Sequence, residues 1–178
     1  MGTGQTDNQT PAWSGDGRWL YFTAKVAGAD QVFKVRPEGG SATQVTRQGG
    51  GTNPEVSPDG QRVYYFVDLP GEGALYSASA DGGDERRVAG MPKLRPAVGA
   101  AWTVVAGGIY FLNPEKAPRP GVDFFESATG RVHRVLDIPG RLALWNGGGL
   151  ALSPDGRSLL FTQIDDVKSD LMLVENFR

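Results

Sequence analysis

The sequence predicts an all-β architecture made of a repeated unit, on three observations. The segments PAWSGDGRWLYF, PEVSPDGQRVYY, AAWTVVAGGIYF and LALSPDGRSLLF superimpose, written around an SPDG or SGDG turn in all but the third, which has TVVAGG instead. Apolar runs are short, rich in aromatic and β-branched residues, and bounded by Gly or Pro, as strands are. Aromatics recur at Phe22, Tyr65, Phe111 and Phe161, spaced 43, 46 and 50 residues apart, which is the length of a propeller blade.

Each element of the unit has a physical reason. A first column holds Trp13, Val56, Trp102 and Leu152 on the first strand, nine residues before the aromatics of the second. On the third strand, in QVFKV, ALYSA, VDFFE and DLMLV, stand Phe33, Tyr76, Phe124 and Met172. Gly39, Gly82 and Gly130 follow in the first three units, and ATQVT, ERRVA and VHRVL supply their fourth strands. One propeller region over residues 1–178 is expected, with blades at about 11–50, 54–91, 97–138 and 148–178. The last blade is three-stranded, so the fold class is a β-propeller segment of four blades.

The turn joining the first two strands explains SPDG. Serine suits position i of a type I turn, proline pre-sets φ at i+1, aspartate suits i+2 and glycine takes the left-handed residue that follows. Asp16 and Gly17, then Pro58, Asp59 and Gly60, then Pro154, Asp155 and Gly156 are therefore structural turn residues rather than acids or metal ligands. In the third unit Gly107 and Gly108 are expected to make the turn.

Composition narrows the function. With 178 residues one domain can bury a sizeable core, and 26 Gly with 12 Pro beside 39% hydrophobic residues fits frequent turns rather than disorder. A net charge of -2, with 18 Lys and Arg against 20 Asp and Glu, gives no footprint for nucleic acid or anionic lipid. Without cysteine there are no disulfides, thiolate nucleophiles or Cys-based zinc sites. No apolar run reaches the length of a membrane span, and MGTGQTDNQTPAW lacks the regions of an export signal.

These motifs resemble the WD-like β-propeller repeats of the TolB type, with the pattern P-x-[WF]-SPDG-[KR]-x-[LI]-x-[FY]. PAWSGDGRWLYF, PEVSPDGQRVYYF and LALSPDGRSLLFT follow it, while AAWTVVAGGIYFL keeps only its apolar skeleton. The order GIYFL, DFFESATGRV, GLALSPDGRSLLFTQIDD and SDLMLVENFR is similar to the propeller end of bacterial sensors that carry a winged-helix or kinase domain. That resemblance implies a signalling or regulatory protein, extracytoplasmic or periplasmic at this end, with the output domain upstream. A fold of this kind hosts many activities, so the resemblance specifies function poorly.

The last unit ends after its third strand, and the polar N-terminal segment offers little to replace the fourth. Open edges need covering. The first expectation is further blades upstream in a longer chain, the rival a homodimer of half-rings closing eight blades, and a third a closed four-bladed ring.

No catalytic apparatus is legible. There is no G-x-S-x-G elbow, and Ser14 belongs to the turn column. His133, the single histidine, lies between arginines on an outer strand, where a structural role is expected. Asp165 and Asp166 read as a hairpin tip, and RQGGGT and NGGGL as blade linkers without a Walker lysine. Trp13 and Trp102 are expected to pack between blades; Trp19 is left open between burial and exposure.

Binding is then the expected function. The loops from fourth to first and from second to third strand share one rim, gathering Arg95, Trp145, Asp68, Lys116 and Arg119, the last two from the insertion NPEKAPRPG. A rigid loop with two cations beside an aromatic suits a protein or small anionic ligand. The chain is read as a non-catalytic binding or sensing module needing no cofactor. The alternatives are the propeller part of a peptidase, and a TolB-like periplasmic partner of a membrane-anchored lipoprotein.

Overall fold

A computed structural model describes residues 8–70, 72–94, 101–114, 119–142, 149–153 and 155–164. Their regular structure is all strand. Blade one comprises β1 (Asn8–Trp13), β2 (Leu20–Val26), β3 (Ala29–Val35) and β4 (Thr43–Gln44) in that spatial order. Blade two repeats it with β5 (Thr52–Val56), β6 (Arg62–Leu69), β7 (Glu72–Ser79) and β8 (Arg86–Arg87), and blade three with β9 (Trp102–Val105), β10 (Gly108–Asn113), β11 (Gly121–Glu126) and β12 (Arg131–Asp137).

Blade four is described as two paired pieces. β14 (Leu150–Leu152) pairs with β15 (Leu159–Phe161), and β13 (Arg141–Leu142) pairs with β16 (Gln163–Ile164). Its inner strand thus picks up at Arg141, ahead of the expected start near 148. The chain between β13 and β14, and the third strand with Met172, lie outside the described residues.

All strand pairs are antiparallel, because each connection is a hairpin within one blade. First strands stand side by side, β1 against β5, β5 against β9, and β9 against β14, so they form the inner wall. Alternation puts one row of side chains on each blade face. Tyr21, Val32 and Val45 of blade one meet Val63, Tyr65, Val67 and Ala78 of blade two. Phe66, Leu75, Met91 and Leu94 of blade two meet Trp102, Ile109, Phe111 and Phe125 of blade three. Ala101, Leu112, Val122 and Ile138 then meet Leu142 and Leu150 of blade four. The core is therefore a series of apolar layers between blades rather than one centre.

Two expectations about tryptophan and the third turn are corrected. In blades one, two and four the residue nine before the column aromatic sits at the strand end, Trp13 opposite Leu20, Val56 opposite Val63 and Leu152 opposite Leu159. Trp102 instead pairs with Phe111 itself, two residues deeper, and Val104, opposite Ile109, takes the strand-end place. The cause is a shorter turn: Val105 pairs with Gly108, leaving Ala106 and Gly107 as the loop, so Gly108 is a strand residue. It must be glycine for another reason, since a Cβ there would sit 1.9 Å from the Phe125 carbonyl oxygen. Trp102 is buried between blades, whereas Trp13 is 59% exposed on the face of blade one turned away from blade two.

Candidate binding rim

Three copies of the turn build one rim, and their serines make the same bonds. The Ser14 hydroxyl donates to Asp16 Oδ1 (2.7 Å) and accepts from the Trp19 amide (2.9 Å), while the Gly17 amide closes on the Ser14 carbonyl (2.9 Å). Ser57 donates to Asp59 (2.5 Å) and accepts from the Arg62 amide (2.9 Å). Ser153 donates to Asp155 (2.6 Å) and accepts from the Ser158 amide (2.9 Å). Gly17, Gly60 and Gly156 have φ of 68°, 71° and 70°, the left-handed region glycine enters without strain. Pro154 lies outside the described residues.

Serine hydroxyls and backbone amides hold Asp59 and Asp155 below the usual carboxylate range. Asp16 is held lower still by Ser14, then by the Arg18 amide and guanidinium. All three are ionised at neutral pH, on exposed turns. Asp16 has Arg18 as its cation, Nε to Oδ2 at 2.6 Å.

Between the turns of blades one and two lies a cavity of about 460 Å³, lined by Asp16, Trp19, Tyr21, Lys34, Pro58 and Asp81 among others. Trp19, left open by the sequence, is half-buried here, with the Arg36 guanidinium 4.0 Å and the Lys34 ammonium 4.6 Å from its ring centre, in cation–π geometry. Lys34 is almost wholly buried yet satisfied, donating to the Ala80 carbonyl and to Asp81, both at 2.8 Å. The Tyr21 hydroxyl donates to the same carbonyl (3.2 Å), and burial pushes it up to about 12. These bonds tie blade one to the β7–β8 turn of blade two, so the cavity floor is rigid.

The two-residue turn of blade three stands lower than its six-residue neighbours. Over it opens a second cavity of about 440 Å³, walled by Pro58 on one side and Ser153, Asp155 and Gly156 on the other. Pro58 lines both cavities, so they lie next to each other along the rim.

The opposite rim is where the sequence reading placed its recognition residues. Arg95, Lys116 and Trp145 lie outside the described residues. Asp68, near the end of β6, and Arg119, just before β11, are exposed in neighbouring blades. Behind Arg119 the chain is firmly rooted: Arg134 donates to the Arg119 carbonyl (3.1 Å), to Asp137 (2.5 Å) and to the wholly buried Asp123 (2.5 Å). Asn113 donates to the other Asp123 oxygen at 2.8 Å.

A third cavity, about 230 Å³, lies at the inner strands, lined by Thr10, Pro11, Asn53, Pro54, Glu55 and Trp102. Thr10 and Asn53 occupy equivalent bulges with φ of 50° and 51°, conformations that cost a non-glycine residue about 1–2 kcal/mol. Glu55 accepts from the Val104 amide across the blade boundary (2.8 Å), and burial pushes its carboxyl up to about 7. Its repeat equivalents Ala12 and Ala151 cannot make such a bridge. Nothing in the repeat pattern distinguished Glu55, and a lone acid at an inward column position was the available signal.

Among the described residues no group of three His, Cys, Asp or Glu side chains could hold a metal. His133 packs against the Phe124 ring, centres 5.3 Å apart, away from any serine of the turns. No helix long and apolar enough to cross a membrane occurs among the described residues.

No protein-family model matches the chain. A Tol-Pal system protein TolB from Francisella tularensis is 36% identical over 62 residues, 33% of this chain and 14% of the relative. The chain spans between 14% and 22% of the length of the curated relatives it matches first. Among solved structures, TolB from Acinetobacter baumannii superimposes with a TM-score of 0.62 at 18% identity, over 84% of this chain and 36% of that one. The Xanthomonas campestris gluconolactonase XC5397 superimposes at 0.63 with 16% identity, over 92% of this chain and 56% of that one. At such identities the likeness is one of fold, shared by an enzyme as well as by TolB. None of these three is a winged-helix or kinase sensor, and the resemblance to such sensors gains nothing from them. In fold, the chain is a β-propeller segment similar to TolB.

Proposed function

We propose that this chain is a non-catalytic protein-binding module of a bacterial regulatory or envelope protein, extracytoplasmic in placement, whose S-x-D-G rim receives an extended partner segment. The observation that carries it is the pair of cavities sharing Pro58 on a rim built from rigid, thrice-repeated turns. Shallow polar and apolar pockets in a row suit side chains of a peptide better than one small substrate, which prefers a single enclosed site. Trp19, with Lys34 and Arg36 against its ring, is the type of aromatic that anchors such contacts. Among its relatives are proteins named for the Tol-Pal system, and the S-x-D-G turns carry no serine–histidine nucleophile–base pair among the described residues.

A second reading places recognition on the opposite rim, through Asp68 and Arg119 with Arg95, Lys116 and Trp145. The Arg134 network favours it, because it fixes the chain beneath Arg119. One experiment separates the two. Peptides selected by display on the purified chain are tested against a Trp19→Ala, Ala106→Trp double variant and an Asp68→Ala, Arg119→Ala double variant. Loss of binding in the first is expected; loss only in the second moves the site to the other rim, and loss in neither contradicts both.

A further inference from the structure

The notch over blade three is unlike the other places on its rim. Elsewhere six residues, as in Ser57 to Arg62, join the first two strands; here Val105 and Gly108 pair directly and the space above stays open. Val104, Val105, Ala106, Leu152 and Pro58 give it aliphatic walls, and Asp155 is the one charged residue among the described lining. The hydrogen bonds that carboxylate receives from Ser153 Oγ (2.6 Å) and the Arg157 amide (3.1 Å) fall on Oδ1. Oδ2 meets no cation among the described residues.

We propose that this notch seats a lysine or arginine side chain carried on an extended segment of a partner protein. The methylene stem lies on Val104, Val105, Ala106 and Leu152, and the cation reaches Asp155 Oδ2. Long basic side chains have this division between an apolar stem and a charged head. A purely aliphatic occupant would take water from an ionised carboxylate without replacing it, and an acidic one would be repelled. The source is a polypeptide rather than a free amine because the notch is not isolated. Across Pro58 lies the larger cavity with Asp59 and Trp19, within reach of a chain that advances about 3.3 Å per residue. The larger cavity also holds Arg18 and Lys34, but these are paired with Asp16 and Asp81. Asp59, like Asp155, meets no cation among the described residues, so a basic segment complements the stretch from Asp59 to Asp155. The assignment rests on the proposed reading of the rim as the protein-binding face.

The test is an NMR titration of the protein with three short acetylated peptides identical except for a central Lys, Glu or Leu, and with 1,5-diaminopentane. The Lys peptide is expected to shift the amides of Val104 to Gly108 and of Leu152, Ser153 and Gly156. Its binding is expected to weaken about five- to tenfold in Asp155→Asn, a variant that keeps the Oδ1 acceptor and so the turn. Ala106→Trp, at an exposed loop position, is expected to abolish binding by filling the notch. Equal binding of the Glu or Leu peptide, an unchanged affinity in Asp155→Asn, or binding of the diamine without the Lys peptide would overturn the assignment. If only the Glu or Leu peptide binds at these cavities, the rim reading survives alone. If no peptide perturbs either cavity, the rim reading falls with it.

Discussion

Glu55 shows how one side chain can set a pH response for the stack. Burial raises its carboxyl to about 7, against 4.5 for a free one, despite the Val104 amide that stabilises the anion. The folded protein therefore holds this proton more tightly than the unfolded chain, so stability is greatest below 4.5 and falls as pH rises towards 7. A shift of this size corresponds to a loss on the order of 3 kcal/mol. Urea unfolding between pH 5 and 8 is expected to show that decline in the natural protein and a flatter profile in Glu55→Gln, which still accepts from Val104. The turn aspartates act with the opposite sign: Asp59 and Asp155 are held low by their serines, and whatever they contribute is lost only on stronger acidification.

At the level of elements, the hairpins were legible because turn chemistry is local. Ser, Asp and Gly at fixed offsets name their own bonds, and Gly17, Gly60 and Gly156 adopt the expected backbone. The third hairpin was misjudged by one residue, since nothing local told Gly107–Gly108 from Ala106–Gly107. Strand pairing decided it, through the approach of Gly108 to Phe125. Long-range contacts also hid the network of β11 and β12. Asp123 and Arg134 stand eleven residues apart, and only the ladder brings them together. Replacing Arg134 by Ala strands a buried carboxylate and is expected to cost about 3–5 kcal/mol. The Asp123→Asn, Arg134→Met double variant, which removes both charges, should recover most of it in the same unfolding assay.

For the whole molecule, the repeat spacing gave the stacking order of blades, since each apolar column has one partner column in the next blade. What spacing could not give was the exposure of single residues on the faces of blades one and four. Trp13 is 59% exposed on blade one, where Phe22 and Phe33 are buried, and Leu160 is 74% exposed on blade four. The equivalent residues of blade two pack against neighbours, Val56 and Val63 among them. Exposed large apolar side chains promote association. Sedimentation velocity is expected to show concentration-dependent association of the 178-residue chain, reduced by Trp13→Glu with Leu160→Glu. A monomer at all concentrations would mean Trp13 and Leu160 are not adhesive.

On the proposed reading, the shortened turn of blade three opens the S-x-D-G rim for binding. Its most direct test replaces residues 105–108 with the six-residue Ser57–Arg62 turn of blade two, closing the notch while leaving the blade hairpin intact. The measurement is the affinity of a display-selected rim peptide for the grafted and natural chains, with thermal unfolding as the control. The graft is expected to melt like the natural protein and no longer to bind. Undiminished binding by a folded graft would contradict it.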